Sequence, residues 1–356
     1  MFQRFFCPCG GGHAYTPNRV TKRKAKRLEP TFKTPPPFPI LSGELMALLR
    51  CPSCSSHLQG EDGSGYRCPA CGQTFPVLRT VARFVDERNY ANSFGFQWQQ
   101  YGRTWMEDQN CKDIEVLFRK QTGLTPEELC GKLVLDVGCG MGRFAEVATR
   151  WGARVIGIDL SAAAEVAAHY LSDREFVALQ ADVFALPFAP DSFDYIYSIG
   201  VLHHTPDCER AFKSLPRYLK SGGSIAIWLY SGYNKWYRFS DIYRKITPRL
   251  SPRTLHNFLR VAVPILYHID RGLRLLPWVG RPLASVVHHV LLVSRHPTPE
   301  RRLVGTFDWY SPKYQSKHTY EQVFRWFESC GLEDLHVAEL PIAVRGRRPA
   351  VPSAVH

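Results

Sequence analysis

The sequence predicts an α/β protein: a mostly parallel sheet with helices on both faces, a small cysteine-rich module before it and a helical insertion within it. Three observations carry this reading. An apolar run, Leu133 to Val137, passes into glycines at 138, 140 and 142 and then into a helical pattern. Two Cys-x-x-Cys pairs, thirteen residues apart, precede it. Residues 231–305 are basic and repeat their apolar positions at helical spacing.

Composition narrows the class. Of 356 residues 45% are hydrophobic and 22% charged, which suits a packed core and argues against wholesale disorder. No window of about 18 residues is apolar and uncharged, and residues 1–12 lack a signal-peptide layout, so neither a transmembrane helix nor secretion is expected. Eleven cysteines are an odd number, and four fall in two tight pairs. A reducing, cytoplasmic setting with one metal site accounts for them better than a disulfide framework. The net charge of +13 is unevenly spread. Residues 1–40 hold eight Lys/Arg against one Glu, and residues 231–305 thirteen against three acids, a local +10. The remainder is mildly acidic at −4, a poor match for nucleic acid.

Residues 1–45 read as a disordered basic tail, through Lys22 to Arg27 and Pro35 to Pro37, suited to a transit peptide or a nucleic-acid arm. Met46, just ahead of a well-formed module, is the expected biological start. Cys7, Cys9 and His13 are read as tail residues. Over 46–83, Cys51, Cys54, Cys68 and Cys71 form a zinc ribbon: each pair points two thiolates at one ion, and two facing turns complete a tetrahedral site. A redox role fits poorly, because the pairs come together without a thioredoxin-like unit. Residues 84–130 connect the ribbon to the sheet and begin with aromatics, Phe84, Tyr90, Phe94, Phe96, Trp98, Tyr101 and Trp105. Core packing is favoured for them over a flap on a ligand.

Beyond Lys132 the glycines let backbone approach a ligand at the carboxyl end of a parallel strand. A second strand ends at Asp159, 21 residues after Gly138, where a carboxylate can accept from ribose hydroxyls. The spacing is G-x-G-x-G, not the G-x-G-x-x-G of dinucleotide sites. Asp136 would repel a pyrophosphate and suits a cationic amino-acid group, which favours S-adenosylmethionine.

These strings resemble class I S-adenosylmethionine-dependent methyltransferases. The residues are Leu135 to Phe144, Gly157 to Ser161, Gln180 to Phe188, Asp191 to His204 and Leu219 to Gly223, over about 130–230 with a weaker match at 306–348. The resemblance implies a Rossmann-like sheet of seven strands, the last antiparallel. It places Gly138, Gly140 and Gly142 along the methionine side of the cofactor, Asp136 near its amino group, Asp159 on the ribose, and Asp182 with the Val183 backbone at the adenine edge.

His203 and His204 follow the fourth strand, where an imidazole could deprotonate a hydroxyl or enol; an architectural turn is the competing reading. No Asn-Pro-Pro-Tyr segment follows, which argues against amino methylation of adenine or glutamine. Cys139 and Cys208 sit in no pattern of covalent catalysis. Residues 231–305 form a basic helical insertion that reads equally as a cap or as a lid on an anionic membrane, and residues 306–348 return to the core. Tyr310, Tyr314 and His318 are candidates for the site mouth or for packing. The function expected is methyl transfer to a small-molecule or lipid-like acceptor, on oxygen or carbon, with peripheral membrane contact only if the insertion is a lid and not a cap. The resemblance to ubiquinone/menaquinone C-methyltransferases extends only to the shared cofactor motifs. The alternative is an rRNA or tRNA methyltransferase using ribbon and insertion to grip RNA, since ribosomal RNA guanine methyltransferases and the zinc-binding activator subunit of tRNA methyltransferases resemble the ribbon arrangement. A cofactor-binding scaffold without turnover is the non-enzymatic option.

Overall fold

Leucine and valine supply four of the five residues of the strand β5 (Leu133–Val137), and all five are buried, as expected of a strand covered on both faces. The computed structural model describes residues 41–61, 64–86, 89–91, 93–98, 100, 111–233, 238–291 and 293–350. Residues 1–40, Tyr101 and Trp105 lie outside them. β6 (Arg154–Asp159) and β8 (Phe193–Ile199) flank β5 in parallel, so that Leu135 lies between Ile156 and Ile196. β7 (Phe176–Gln180) and β9 (Leu219–Trp228) extend the sheet outward, also in parallel. β11 (Ala343–Arg347) then runs antiparallel between β9 and β10 (Glu333–Val337).

Alternation along the strands divides the core. Val134, Val155 and Tyr197 face the helices Cys111–Thr122, Arg143–Arg150 and Ala163–Tyr170, with Phe118 fully buried at their centre. Leu135, Ile156 and Ile225 face Phe212, Val323 and Phe327 of the helices Cys208–Lys213 and Tyr320–Ser329.

The sheet runs on beyond the seven strands β5 to β11. β1 (Gln59–Glu61), β2 (Gly65–Arg67), β3 (Thr74–Leu78) and β4 (Val81–Arg83) continue it, giving eleven among the described residues in the order β1-β2-β3-β4-β7-β6-β5-β8-β9-β11-β10. The physical cause is the open edge of β7, whose backbone groups pair in parallel with β4: Ala82 lies opposite Leu179, and the Phe84 amide donates to the Gln180 carbonyl. The cysteine-rich module is therefore no separate bead. Leu45, Leu49, Leu58 and Phe75 share one core with Phe188 and Phe193, and Arg50 N–H donates to Pro187 O at 2.9 Å.

The insertion is helical: Arg238–Tyr243, Pro252–Leu273, Gly280–Leu291 and Pro299–Tyr310. The last of these runs across residue 306, where the sequence reading put the return to the core, because Phe307 and Tyr310 pack with Leu255, Leu259 and Val263 instead. Among the described residues no helix is long and apolar enough to cross a membrane.

Candidate active site

The carboxyl end of β5 turns sharply. Gly138, Gly140 and Gly142 have φ of +79°, +54° and +87°, in the left-handed region that side chains avoid. At Gly138 sterics add to this, since a Cβ would lie 2.3 Å from a Val201 methyl. Gly142 caps the helix Arg143–Arg150 with no side chain bonded to its first N–H groups, so that helix end adjoins the glycine turn. Gly140 has a different neighbour: the indole nitrogen of Trp98 would be 3.4 Å from its Cβ, so the aromatic segment lies across the loop. Phe94 likewise reaches the His204 ring, at 5.1 Å between centroids, and Tyr90 meets Tyr314 edge-on. Core packing is the favoured expectation for this segment, and Phe84 against Phe75 and Phe96 against Phe307 do pack that way.

Three carboxylates sit around the loop. Asp136 is 3% exposed, and its Oδ2 accepts one hydrogen bond, from the Tyr197 hydroxyl at 3.0 Å. Burial pushes it up to about 8 against that bond, and the neighbouring charge of Asp159 adds to the rise. A buried carboxylate this poorly compensated fits a cationic partner. Asp159 Oδ2 accepts from Gly140 N–H at 2.9 Å, and its Oδ1 from the amide and hydroxyl of Ser161 at 2.8 and 2.7 Å. It thus ties the glycine turn to the end of β6, and burial raises it. Asp182 Oδ1 accepts from Phe184 N–H at 3.0 Å, which shapes the turn after β7 and presents the buried Val183.

His203 and His204 occupy the turn Leu202–His204 after β8 and differ in the role of Nδ1, which accepts in His203 and donates in His204. Burial drives His203 far below the ordinary imidazole range. Its Nδ1 accepts from Tyr230 N–H at 3.4 Å, its ring stacks on Tyr230 at 3.9 Å, and its buried Nε2 has no partner among the described residues. His204 is lowered to about 4, first by burial. A neutral His204 donates Nδ1–H to the Tyr314 carbonyl at 3.0 Å, which leaves Nε2 as the basic nitrogen. His318 lies farther round, bonded to Ser316 and packed on Trp326.

The insertion contributes residues that the sequence reading passed over. Asp308 is raised by burial, and its Oδ1 accepts from Gln97 Nε2 at 3.5 Å. Trp309 stacks on Tyr230, so His203, Tyr230 and Trp309 form a ring column. No local motif marks them; they meet only because the helix Pro299–Tyr310 folds back over the end of β9.

At the ribbon, Cys51 and Cys71 sulfurs are 3.6 Å apart, those of Cys54 and Cys68 3.4 Å, and all four lie within 4.8 Å of one another. These distances exclude disulfides and approach the ~3.8 Å edge of a tetrahedron with sulfurs ~2.3 Å from a central zinc. The two turns match: Ser55 N–H donates to Cys51 O and Gly72 N–H to Cys68 O, with positive φ at both Ser55 and Gly72.

Comparison with known proteins adds to this geometry. The model of a family described as a methyltransferase domain matches residues 135–227. A ubiquinone biosynthesis O-methyltransferase of Pseudomonas fluorescens is 33% identical over 174 residues, 47% of this chain and 75% of that one. A sterol 24-C-methyltransferase of Gibberella zeae is 28% identical over 238 residues, 65% of this chain, and the chain spans only 57% of that relative's length. Phosphoethanolamine N-methyltransferase 2 of Caenorhabditis elegans is 30% identical, with 48% of this chain matching 40% of that one.

Proposed function

Since the chain belongs to the class I S-adenosylmethionine-dependent methyltransferases, we propose that it methylates oxygen or carbon of a small, lipid-like acceptor. S-adenosylmethionine supplies an electrophilic methyl on a cationic sulfur. Gly138, Gly140 and Gly142 would admit its amino-acid end, Asp136 would pair with the ammonium group, and Asp159, Asp182 and Val183 would hold the nucleoside. The observation that carries the acceptor reading is His204. Its fixed tautomer keeps a neutral, basic Nε2 among the rings of Phe94, His203 and Tyr230. There Nε2 would take the proton of an acceptor hydroxyl or enol as the oxygen or carbon bonds to the methyl, whose bond to sulfur breaks with its electron pair left on the now neutral thioether. The rings around His204 keep water away and favour an apolar body. Two of the relatives bear names that refer to a sterol and to ubiquinone biosynthesis, which agrees with such an acceptor. The four ribbon cysteines would hold a structural zinc ion.

Transfer of labelled methyl into a cell extract, then separated into RNA, protein, organic-extractable and aqueous small-molecule fractions, tests the reading. Label is expected in the organic or small-molecule fraction; label confined to RNA overturns it.

A further inference from the structure

The helix Pro252–Leu273 carries two apolar rows, and the fold uses one. Leu255, Leu259 and Val263 are buried against Phe307 and Tyr310. Phe258, Val261, Ile265 and Ile269, spaced three and four apart on another side, are 45–65% exposed. The row continues round the turn into the helix Gly280–Leu291, through Leu275 at 80%, Trp278 at 96% and Val279 at 67% exposure. Contiguous exposed apolar surface on this scale marks an interaction site.

The turn is built to display it. Gly280 is buried where a Cβ would lie 1.9 Å from the Leu273 carbonyl oxygen, so glycine alone fits the close approach. Trp278 has a φ of +64°, a conformation that costs a bulky residue energy, and its ring gains almost no burial within the chain in return.

Charge selects the partner. Residues 252–291 contain five arginines and one acid, Asp270, and that acid is bound by Arg274 and Arg295. Arg253, Arg260, Arg271 and Arg281 are exposed. A two-fold contact between copies would set these arginines against themselves with no acid to pair them. A surface that is apolar beneath and anionic above satisfies both features.

We propose that this hairpin face docks on an anionic phospholipid bilayer, with Leu275, Trp278 and Val279 at the headgroup–acyl boundary and the arginines on lipid phosphates. The hairpin lies on the membrane without crossing it. Docking would bring the chain to a pool of lipid-dissolved molecules, but it does not depend on which acceptor is methylated.

Co-sedimentation of the full chain with phosphatidylcholine vesicles, with and without phosphatidylglycerol, tests the proposal without cofactor or acceptor, so its failure is separable from failure of the acceptor reading. Wild type is expected to bind only the phosphatidylglycerol vesicles. Trp278→Asp, at a site too exposed to endanger folding, is expected to weaken binding at least tenfold, and Arg271→Ser with Arg281→Ser about thirtyfold. Absence of wild-type binding, equal binding to both vesicles, or unchanged binding by Trp278→Asp would overturn the proposal. So would a dimer, seen by light scattering, that Trp278→Asp converts to monomer.

Discussion

Asp136 is costly to the chain without its cofactor, and that cost has a direction in pH. In the folded chain the carboxyl keeps its proton up to about pH 8, whereas unfolded it titrates near ~4. Between these values the folded state holds the extra proton, so Asp136 lowers stability as pH rises. The groups facing it, Tyr197, Asp159 and Arg143, leave burial as the dominant influence. The proposed pairing with an ammonium group reverses the preference: cofactor binding should release a proton below about pH 8 and tighten toward that point. Calorimetry in buffers of different ionisation enthalpy would detect the proton. Asp136→Asn, which can still accept from Tyr197, should melt higher without cofactor, bind it roughly ten- to hundredfold more weakly, and lose the proton release. His204 makes a separate prediction. His204→Phe keeps the packing on Phe94 but removes Nε2, and kcat should fall by about two to four orders of magnitude. Unchanged kcat would assign the turn to architecture. Because burial holds His204 near 4, an acid limb near the ordinary imidazole value is not expected from it.

Elements whose residues pair locally were legible in the sequence; those assembled from distant partners were not. β5, β6 and β8 announce themselves by buried runs, and the glycines after β5 by their spacing. The reason Gly138 must be glycine lay partly out of view, since Val201 reaches it from the end of β8, more than sixty residues on. Gly138→Ala should therefore destabilise the chain by about 2 kcal/mol or more, combining left-handed strain with a clash. Adding Val201→Ala should recover only the clash, which thermal melts of single and double variants would separate. β4 has three residues and no periodicity, so nothing local foretold its parallel pairing with β7. The cysteine spacing was legible because both turns are local. The column of His203, Tyr230 and Trp309 was not, for it draws on three elements. The helical spacing of 252–273 was readable; that only one of its two apolar rows is buried required the fold.

Because the sheet is continuous from β1 to β10, the cysteine-rich module and the glycine loop belong to one mechanical unit. β4 pairs with β7, the Arg83 and Arg79 guanidiniums bind Glu165, and Asn89 Nδ2 donates to Leu160 O at 2.8 Å beside Asp159. The chain then passes directly to Trp98 over Gly140. A module with such short strands cannot hold this arrangement on apolar burial alone, so the proposed zinc would supply much of its folding energy. Loss of the ion should then be felt beyond the ribbon. Cys68→Ser, or chelation of the purified chain, is expected to abolish bound zinc in elemental analysis and to lower the melting temperature of the whole chain by at least about 5 °C as one transition. It should also weaken S-adenosylmethionine binding, because the segment that places Trp98 loses its anchor. Two separate transitions, with cofactor affinity unchanged after zinc removal, would show instead that the ribbon folds alone and that β4 merely rests against the sheet. A single transition would make the metal a support of the cofactor crevice, acting through the added strand without touching the reacting atoms.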